Sequence, residues 1–280
     1  MALPASGPLS LNDIQVEFGG DNPIGINEYY GVAAGIPASD TISINDFYGA
    51  SAIPPPVTDS LILFLDAGDP ASYPGSGTVW TDLTGNNYGG TLSGGPVYST
   101  NNGGAILLDG SNDYVYLANS SNINFVSNFS INYVFKYRIS DSTAPFVEKY
   151  YYGSTGRGGW GLRGSNGNYV FFILNRTSSA FISLPSFFTV NQIYDLTVTV
   201  TGGPTNPTVR LYSNGVLQGT QTLSQTIATN TGRDVLIGRY GDLASAYTKQ
   251  DAYSLKMYTK VLSAAEVLQN FNSTKDRYGL

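Results

Sequence analysis

The residue types missing from this chain narrow its chemistry before any motif is considered. The 280-residue sequence contains no cysteine and no histidine. Disulfide bonds, thiolate chemistry and zinc sites built from cysteine or histidine are therefore excluded. A Ser-His-Asp or Cys-His catalytic arrangement is excluded as well, because its imidazole base is absent. Carboxylate chemistry, lysine or tyrosine chemistry, and binding of an oxygen-ligated cation such as Ca²⁺ remain.

Carboxylate pairs of the kind that hydrolyse glycosidic bonds are scarce. Residues 61–280 contain two glutamates, Glu148 and Glu266, and Glu266 belongs to a helix cap described below. Lys149 follows Glu148 and points to the opposite face of a strand. Retaining hydrolysis needs two carboxyl groups about 5 Å apart. A distant aspartate could supply the second, so a glycan depolymerase is the weaker alternative, and we predict a protein that is not an enzyme.

One acidic turn has the spacing of a calcium loop. Asp109, Ser111 and Asp113 place oxygen atoms at alternate positions, and Asp66 is a further candidate ligand through the fold. Asp-Gly and Asn-Asp are also common turn formers, and no bidentate glutamate follows. A Ca²⁺ site and a turn closed by hydrogen bonds both stay open; the turn is favoured.

Aromatic and amide side chains that could bind a carbohydrate cluster around a glycine-rich stretch. Such ligands are held by aromatic platforms and a few polar groups. Gly153–Gly159 is interpreted as a loop from which these side chains project, whereas Trp80 is interpreted as a core residue. The alternative is that Trp160 also lies in the core or at a strand edge. The candidates are Tyr150, Tyr151, Tyr152, Arg157, Trp160 and Asn166.

Composition and alternation predict the elements that must position these residues. Only 12% of residues are charged, while glycine occurs 33 times and tyrosine 21 times, which favours many short strands and turns. Phe129–Tyr137 and Ile193–Val200 alternate with the period of a strand, and Asn214-Gly215 suits a hairpin turn. From residue 59 onward we predict an all-β, two-sheet antiparallel sandwich. Ser263-Ala-Ala-Glu266 is a capping box that predicts one closing helix.

The first 50 residues differ from the rest in pattern and in charge. They contain a diverged repeat, Leu9–Gln15, Ile24–Tyr30 and Ile42–Tyr48, in which a capping-box acid and a hydrophobic-staple pair recur. We predict three short helical turns, which are not stable alone and must pack on each other, on the sandwich or on a partner. Residues 1–60 carry seven acids and no base, so the net charge of −6 originates there.

This acidic segment is interpreted as an anchor for other proteins, and solubility is the simpler explanation of its charge. Residues 51–58 form a proline-rich linker, since Pro54-Pro55-Pro56 favours extended backbone. The segment has neither a basic start nor the apolar core of a secretory signal, and no stretch of the sequence approaches the ~18 apolar residues of a membrane span. The candidate docking side chains are Ile14, Phe18, Tyr29, Tyr30, Phe47 and Tyr48.

Several motifs of residues 59–280 occur in the order found in a known family. They are Leu63–Asp66, Trp80–Asn86, Ile106–Val115, Val209–Gly215, Leu255–Tyr258 and Val261–Val267. With these motifs the segment resembles the laminin-G-like, concanavalin A-like lectin and glucanase family. The resemblance implies a jelly-roll of two antiparallel sheets.

The N-terminal segment resembles short modules at the start of bacteriophage virion proteins, through residues 3–14 and 42–49. Together, the resemblances imply a tail-fibre or baseplate-type adhesin that is assembled in the host cytoplasm, released by lysis and located in the virion. Its expected partners are other virion proteins through residues 1–50, a host-surface glycan and further copies of itself. A capsid-decoration or fibre-packing role without glycan binding is the alternative. Nucleic-acid binding is not expected, because basic residues are sparse.

Overall fold

The structure of the protein is a computed structural model, and the chain divides into two compact units, Met1–Pro56 and Val57–Leu280. No helix in the described part of the chain is long and apolar enough to cross a membrane. For residues 151–153, 156–157, 174–175 and 178 only the backbone is described. The described residues are 3–33, 36–37, 39–50, 52, 54–138, 144–153, 156–175, 178–228, 232–241 and 246–280.

The N-terminal unit contains the three short helical segments that the repeat predicts. They are α1 (Leu11–Phe18) and two 3₁₀ turns, Ile26–Tyr29 and Ile44–Phe47. The Ser10 backbone N–H donates to the Asp13 carboxylate at 2.8 Å, and the Asp13 backbone N–H donates to the Ser10 hydroxyl at 3.2 Å. Asp13, although it is shorter than the glutamate usual at this position, therefore completes a capping box at the start of α1.

The aromatic side chains of the repeats form a core within this unit. The rings of Phe18, Tyr29 and Phe47 lie 5.9–6.4 Å apart between centroids, and Ile14 is buried beside them. Each hydrophobic staple holds its apolar pair on one side of a turn, and the pairs of the three repeats meet in one cluster. The three short helical segments therefore pack on each other, which is one of the three possibilities that the sequence left open.

This packing corrects the list of docking residues. Ile14, Tyr29 and Phe47 are buried and cannot contact a partner, while Phe18 and Tyr30 are half-buried. Tyr48 alone among the six counts as exposed, at 36%. Val16 is more exposed than any of these six, at 80%, and was not among the residues predicted to dock.

The second unit is the predicted sandwich of two antiparallel sheets. Its strands in the described residues are β1 (Leu61–Asp66), β2 (Val79–Trp80), β3 (Gly90–Ser93), β4 (Val97–Ser99), β5 (Ala105–Asp109), β6 (Tyr114–Leu117), β7 (Phe129–Tyr137), β8 (Ala144–Gly153), β9 (Gly156–Ser165), β10 (Asn168–Asn175), β11 (Ser178–Leu184), β12 (Ile193–Thr201), β13 (Thr208–Ser213), β14 (Val216–Thr222), β15 (Val235–Ile237) and β16 (Lys249–Tyr258). The first sheet has the order β14-β13-β12-β7-β16-β5-β4, with β1 also paired to β16. The second has the order β11-β10-β9-β8-β15-β6-β3-β2.

The core fills the space between the sheets because alternate residues of each strand point inward. Phe129, Ile131, Tyr133 and Phe135 of β7 are all fully buried in it. Phe135 meets Phe146 of the opposite sheet with 4.2 Å between ring centroids. The apolar half of the alternating pattern thus becomes the inner face of each sheet.

The prediction that Gly153–Gly159 forms a glycine-rich loop is wrong. The strands β8 and β9 pair on both sides of residues 154–155, which lie outside the described residues, from Ala144↔Gly164 to Gly153↔Gly156. At Gly159, which has φ +113°, a Cβ atom would lie 2.0 Å from the Lys149 carbonyl oxygen. The glycines therefore let two strands approach closely rather than freeing a loop.

The chain ends in the predicted helix, α2 (Ala264–Asn272), followed by the short α3 (Lys275–Tyr278). The Ser263 hydroxyl accepts from the Glu266 backbone N–H at 3.3 Å, as the capping box requires. Asn270 of α2 donates to the Tyr258 hydroxyl on β16 at 3.0 Å, so the helix is fixed to the outer face of the first sheet.

Candidate functional site

A groove lies on the outer face of the second sheet, and the register of four strands places its residues. Four cross-strand partners form one row across the sheet. From β8 to β11 they are Glu148, Gly161, Phe172 and Phe181. The next row contains Arg163, Val170 and Ser183. The neighbouring residues Leu162 and Phe171 point into the core, so both rows face away from it.

Gly161 leaves a gap in the first row that a larger residue would fill. A Cβ atom at this position would lie 2.2 Å from the Phe172 ring and 3.1 Å from Cγ of Glu148. The Phe172 ring occupies the gap, and the Arg163 guanidinium lies over it, 3.8 Å from the ring centroid. Tyr240 and Tyr150 flank the same guanidinium at 4.9 and 5.6 Å. Three aromatic rings thus surround one cation, an arrangement that stabilises it by cation–π attraction.

The positive charge of Arg163 is balanced by the carboxylate of Glu148. Its Nη2 atom lies 2.6 Å from Oε1 of Glu148, a side chain with no solvent exposure. Burial is the largest single influence and disfavours the charged guanidinium, but the Glu148 carboxylate, Tyr240 and Tyr150 together outweigh it and raise the pKa of Arg163. Burial, with a smaller contribution from Glu148, also raises the pKa of Tyr150 far above its ordinary value. The groove floor is therefore a neutral ion pair beside a tyrosine that keeps its proton.

The open part of the groove combines one exposed aromatic ring with small polar side chains. Phe181 is 56% exposed, although it lies in the middle of a strand. The cavity has a volume of about 370 Å³. Hydroxyl and amide groups with an apolar surface between them are the usual lining of a pocket for a small polar ligand. The lining residues are Tyr150, Arg163, Ser165, Asn168, Val170, Phe172, Ser179, Phe181, Ser183 and Tyr240.

The structure separates the predicted carbohydrate-binding residues. Tyr150 lines the groove, but its ring is packed against Phe172 at 5.4 Å between centroids and is almost wholly buried. Trp160 is buried in the core, like Trp80, and cannot offer its face to a ligand. Asn166 is exposed in the turn between β9 and β10, outside the groove lining. The side chains of Tyr151, Tyr152 and Arg157 lie outside the described residues.

Sequence reasoning missed most of the groove, including Arg163, Asn168, Phe181 and Tyr240. A signal existed in β11, where Ser179, Phe181 and Ser183 alternate with Ala180, Ile182 and Leu184. An aromatic residue on the polar side of such a strand indicates a binding surface more specifically than aromatic content does. Tyr240 carries no comparable signal, because only the pairing of distant strands brings it to Arg163.

The acidic turn Asp109–Asp113 is closed by its own carboxylates. Oδ1 of Asp109 accepts from the backbone N–H of Ser111 at 2.7 Å, which lowers the pKa of Asp109. Oδ2 of Asp113 accepts from the backbone N–H of Asp109 at 3.2 Å, while burial raises the pKa of Asp113. These contacts match the favoured interpretation of a hydrogen-bonded turn.

Asp66 is not part of that turn. Both of its carboxylate oxygens accept from Nη2 of Arg277, at 2.9 and 2.8 Å, so this carboxylate is engaged in an ion pair. No group of three or more acidic side chains in the described residues is arranged to hold a metal ion.

Comparisons with known proteins bear on the fold. The family model of the concanavalin A-like lectin/glucanases superfamily matches residues 109–268. The binding domain of Paraclostridial Mosquitocidal Protein 1 is 18% identical, with a TM-score of 0.59 over 77% of this chain and 52% of that one. The binding domain of botulinum neurotoxin DC, solved with rat synaptotagmin II, is 16% identical, with a TM-score of 0.60 over 78% and 52%. The same domain in complex with SialylT is 17% identical, with a TM-score of 0.58 over 77% of this chain and 52% of that one.

This chain thus spans about half the length of the solved structures that it matches. At these identities the likeness concerns the fold alone. No curated protein matches the sequence.

Proposed function

Because the chain belongs to the concanavalin A-like lectin/glucanases superfamily, we propose that it binds a saccharide in the groove on the outer face of β8–β11. The observation that carries this proposal is the exposed Phe181 ring, set between Ser179 and Ser183 on the same face of β11. Sugar rings stack their C–H faces on aromatic rings, and their hydroxyl groups pair with serine and amide side chains. The neutral floor suits a saccharide that carries no charge at the contacted positions.

Binding explains the groove better than hydrolysis does. A glycosidase needs an accessible acid or nucleophile beside the scissile bond. Glu148, the glutamate at this face, has no solvent exposure, and Arg163 holds its carboxylate at 2.6 Å. Glu148 is shielded from solvent and held by Arg163, so it fits a role in positioning Arg163 and not one in proton transfer.

The N-terminal unit is proposed to attach the protein to a bacteriophage particle, as a tail-fibre or baseplate-type component released with the virion. The support is the resemblance of residues 3–14 and 42–49 to virion modules and the surface left by the folded repeats. Val16, Ile44 and Tyr48 stay exposed around the buried cluster, and the unit carries no base to offset its acids. A partner surface with apolar and basic character would match it. Further copies of the chain are a second proposed partner, through strand edges of the sandwich.

The groove proposal is tested by applying the full chain to an array of bacterial surface polysaccharides. We expect competable binding that Phe181→Ala weakens at least tenfold, since stacking on one aromatic ring is lost. Val216→Ala is the matched control, because Val216 is 59% exposed on β14 of the other sheet. Absence of binding to every host polysaccharide would favour the alternative, a decoration or fibre-packing role that involves proteins only.

The anchor proposal is tested in phage particles. Deletion of residues 1–50 should abolish incorporation of the protein into virions, and Val16→Lys should reduce it. Val79→Lys is the control, because Val79 is similarly exposed but lies on the sandwich. Normal incorporation of the deletion variant would contradict the proposed anchor.

A further inference from the structure

A second cavity lies on the outer face of the first sheet, away from the groove. Its volume is about 130 Å³, enough for several water molecules and hence for one carboxylate, sulfate or phosphate group. Lys136, Asp251 and Leu107 are cross-strand partners on β7, β16 and β5 and form its floor. The neighbouring residues Phe135, Ala252 and Ile106 point into the core, so the floor faces outward.

Positive charge exceeds negative charge among the residues that line this cavity. Lys136 and Arg138 line it together with one carboxylate, that of Asp251. Nε of Arg138 lies 3.6 Å from Oδ1 of Asp251, and the Arg138 side chain remains 31% exposed. Arg138, Lys136 and the adjacent Lys249 all oppose the rise in the pKa of Asp251 that burial causes.

Neutral hydrogen-bonding groups complete the wall. Ser99, Asn101 and Asn102 line the side of the cavity opposite Lys136 and Arg138 along the sheet. Amide N–H and hydroxyl groups can donate to an oxyanion that also contacts two cations, and such charge-assisted hydrogen bonds are the strong ones.

This wall is held in place by the C-terminal helix. Gly103 packs so closely on Arg277 that a Cβ atom at Gly103 would lie 2.2 Å from its Cγ. Arg277 is itself fixed by two hydrogen bonds to Asp66. The segment of Asn101 and Asn102 is therefore positioned before any ligand arrives, and preorganisation favours binding.

We propose that this cavity binds the anionic group of an acidic saccharide, between the two cations and the amide wall. Lys136 and Arg138 contact the oxyanion, Asn101 and Asn102 donate to it, and Asp251 keeps the Arg138 side chain oriented. The cavity and the Phe181 groove lie on different sheets and share no residue. The two sites can therefore fail or succeed separately.

The test is NMR titration of the full chain with glucuronic acid and with glucose, which differ in the carboxylate at one carbon. We expect glucuronate to shift the side-chain amide signals of Asn101 and Asn102, and glucose to leave them in place. Lys136→Gln and Arg138→Gln should each weaken glucuronate binding at least tenfold. Arg210→Gln, on β13 of the same sheet, should change it less than twofold, and Phe181→Ala should have no effect.

Three results would overturn the proposal. Glucose could shift the same amide signals as strongly as glucuronate, which would show that charge is not recognised. Both cavity variants could bind glucuronate as the parent protein does. Finally, inorganic sulfate could bind as tightly as glucuronate, which would show a site for free oxyanions and not for a saccharide.

Discussion

The carboxylate of Glu148 lies 2.6 Å from the guanidinium of Arg163, and both side chains sit beneath an open groove on the outer face of a sheet. Glu148 has no solvent exposure at all. Such a pair is weak evidence for stability as a unit, but each partner depends on the other, because an unpaired buried charge is costly. This dependence leads to the first prediction.

Arg163→Met should destabilise the protein by about 3–5 kcal/mol, because it removes the cation that lies 2.6 Å from the buried Glu148 carboxylate. The double variant Glu148→Gln/Arg163→Met should recover most of that loss, since neither charge of the pair remains. Urea denaturation of the three proteins at pH 7 measures the difference. A double variant less stable than Arg163→Met would contradict this expectation, because it would show that Glu148 stabilises the fold even without Arg163.

Gly161→Ala should close the gap in which the Phe172 ring rests. The added Cβ would lie 2.2 Å from that ring, so Phe172 must move away from the Arg163 guanidinium. We expect a loss of about 1–3 kcal/mol in stability, typical of overpacking, and weaker saccharide binding in the groove. Thermal melting and the polysaccharide array measure the two effects.

Gly203→Ala is the control for that substitution, because no atom lies within 4 Å of a Cβ placed there. It should melt and bind like the parent protein. Unchanged binding by Gly161→Ala would mean that the position of Phe172 does not matter to the ligand.

Phe47→Ala should unfold the N-terminal unit while the sandwich stays folded. Phe47 is fully buried between Phe18 and Tyr29, and truncation of such a ring costs about 3–5 kcal/mol, most of what a small core supplies. Amide hydrogen exchange should lose protection in Leu11–Phe18 and keep it in Phe129–Tyr137. Ile44→Ala, at a partly exposed position of the same repeat, should keep protection in both. Loss of protection in β7 as well would contradict independent folding of the two units.

Asp195→Asn should stabilise the protein progressively, relative to the parent, as the pH rises from about 4 to about 7. Asp195 lies buried on β12 and accepts from Asn132 at 2.6 Å. Burial raises its pKa from 3.8 to about 6, against the opposing attraction of Lys256. The folded protein therefore binds more protons than the unfolded chain in that window, and its stability falls as the pH rises.

The gain expected from Asp195→Asn is on the order of 2–3 kcal/mol across the window. Urea denaturation at pH 4.5, 5.5 and 7 measures it. Thr197→Val serves as the control, because it removes a hydrogen bond to Asn132 without removing a titrating group. Its effect should be the same at all three pH values, and an equally flat result for Asp195→Asn would contradict the raised pKa.

The parts of the structure that sequence predicted well are those that depend on local pattern. The capping boxes at Ser10 and Ser263 involve residues three apart, and both form as expected. The alternation of Phe129–Tyr137 is a property of the strand itself, so its inner face could be identified without a partner. The glycine-rich stretch failed because glycine serves a loop and a close strand contact equally well, and only the neighbouring strand distinguishes them.

The sequence by itself determined the class of fold, the exclusion of histidine and cysteine chemistry, and the contrast between an acidic helical segment and a sandwich. These follow from composition and from short-range periodicity. Tertiary structure alone decided which aromatic residues are buried and which can meet a ligand. Trp160 and Phe47 look as available in sequence as Phe181 does, yet the first two are in cores and the third is exposed. For Trp160 and Phe181 the reason is register: the pairing of β8 to β11 sets which side chains share a row, and pairing between strands is not encoded in any one strand.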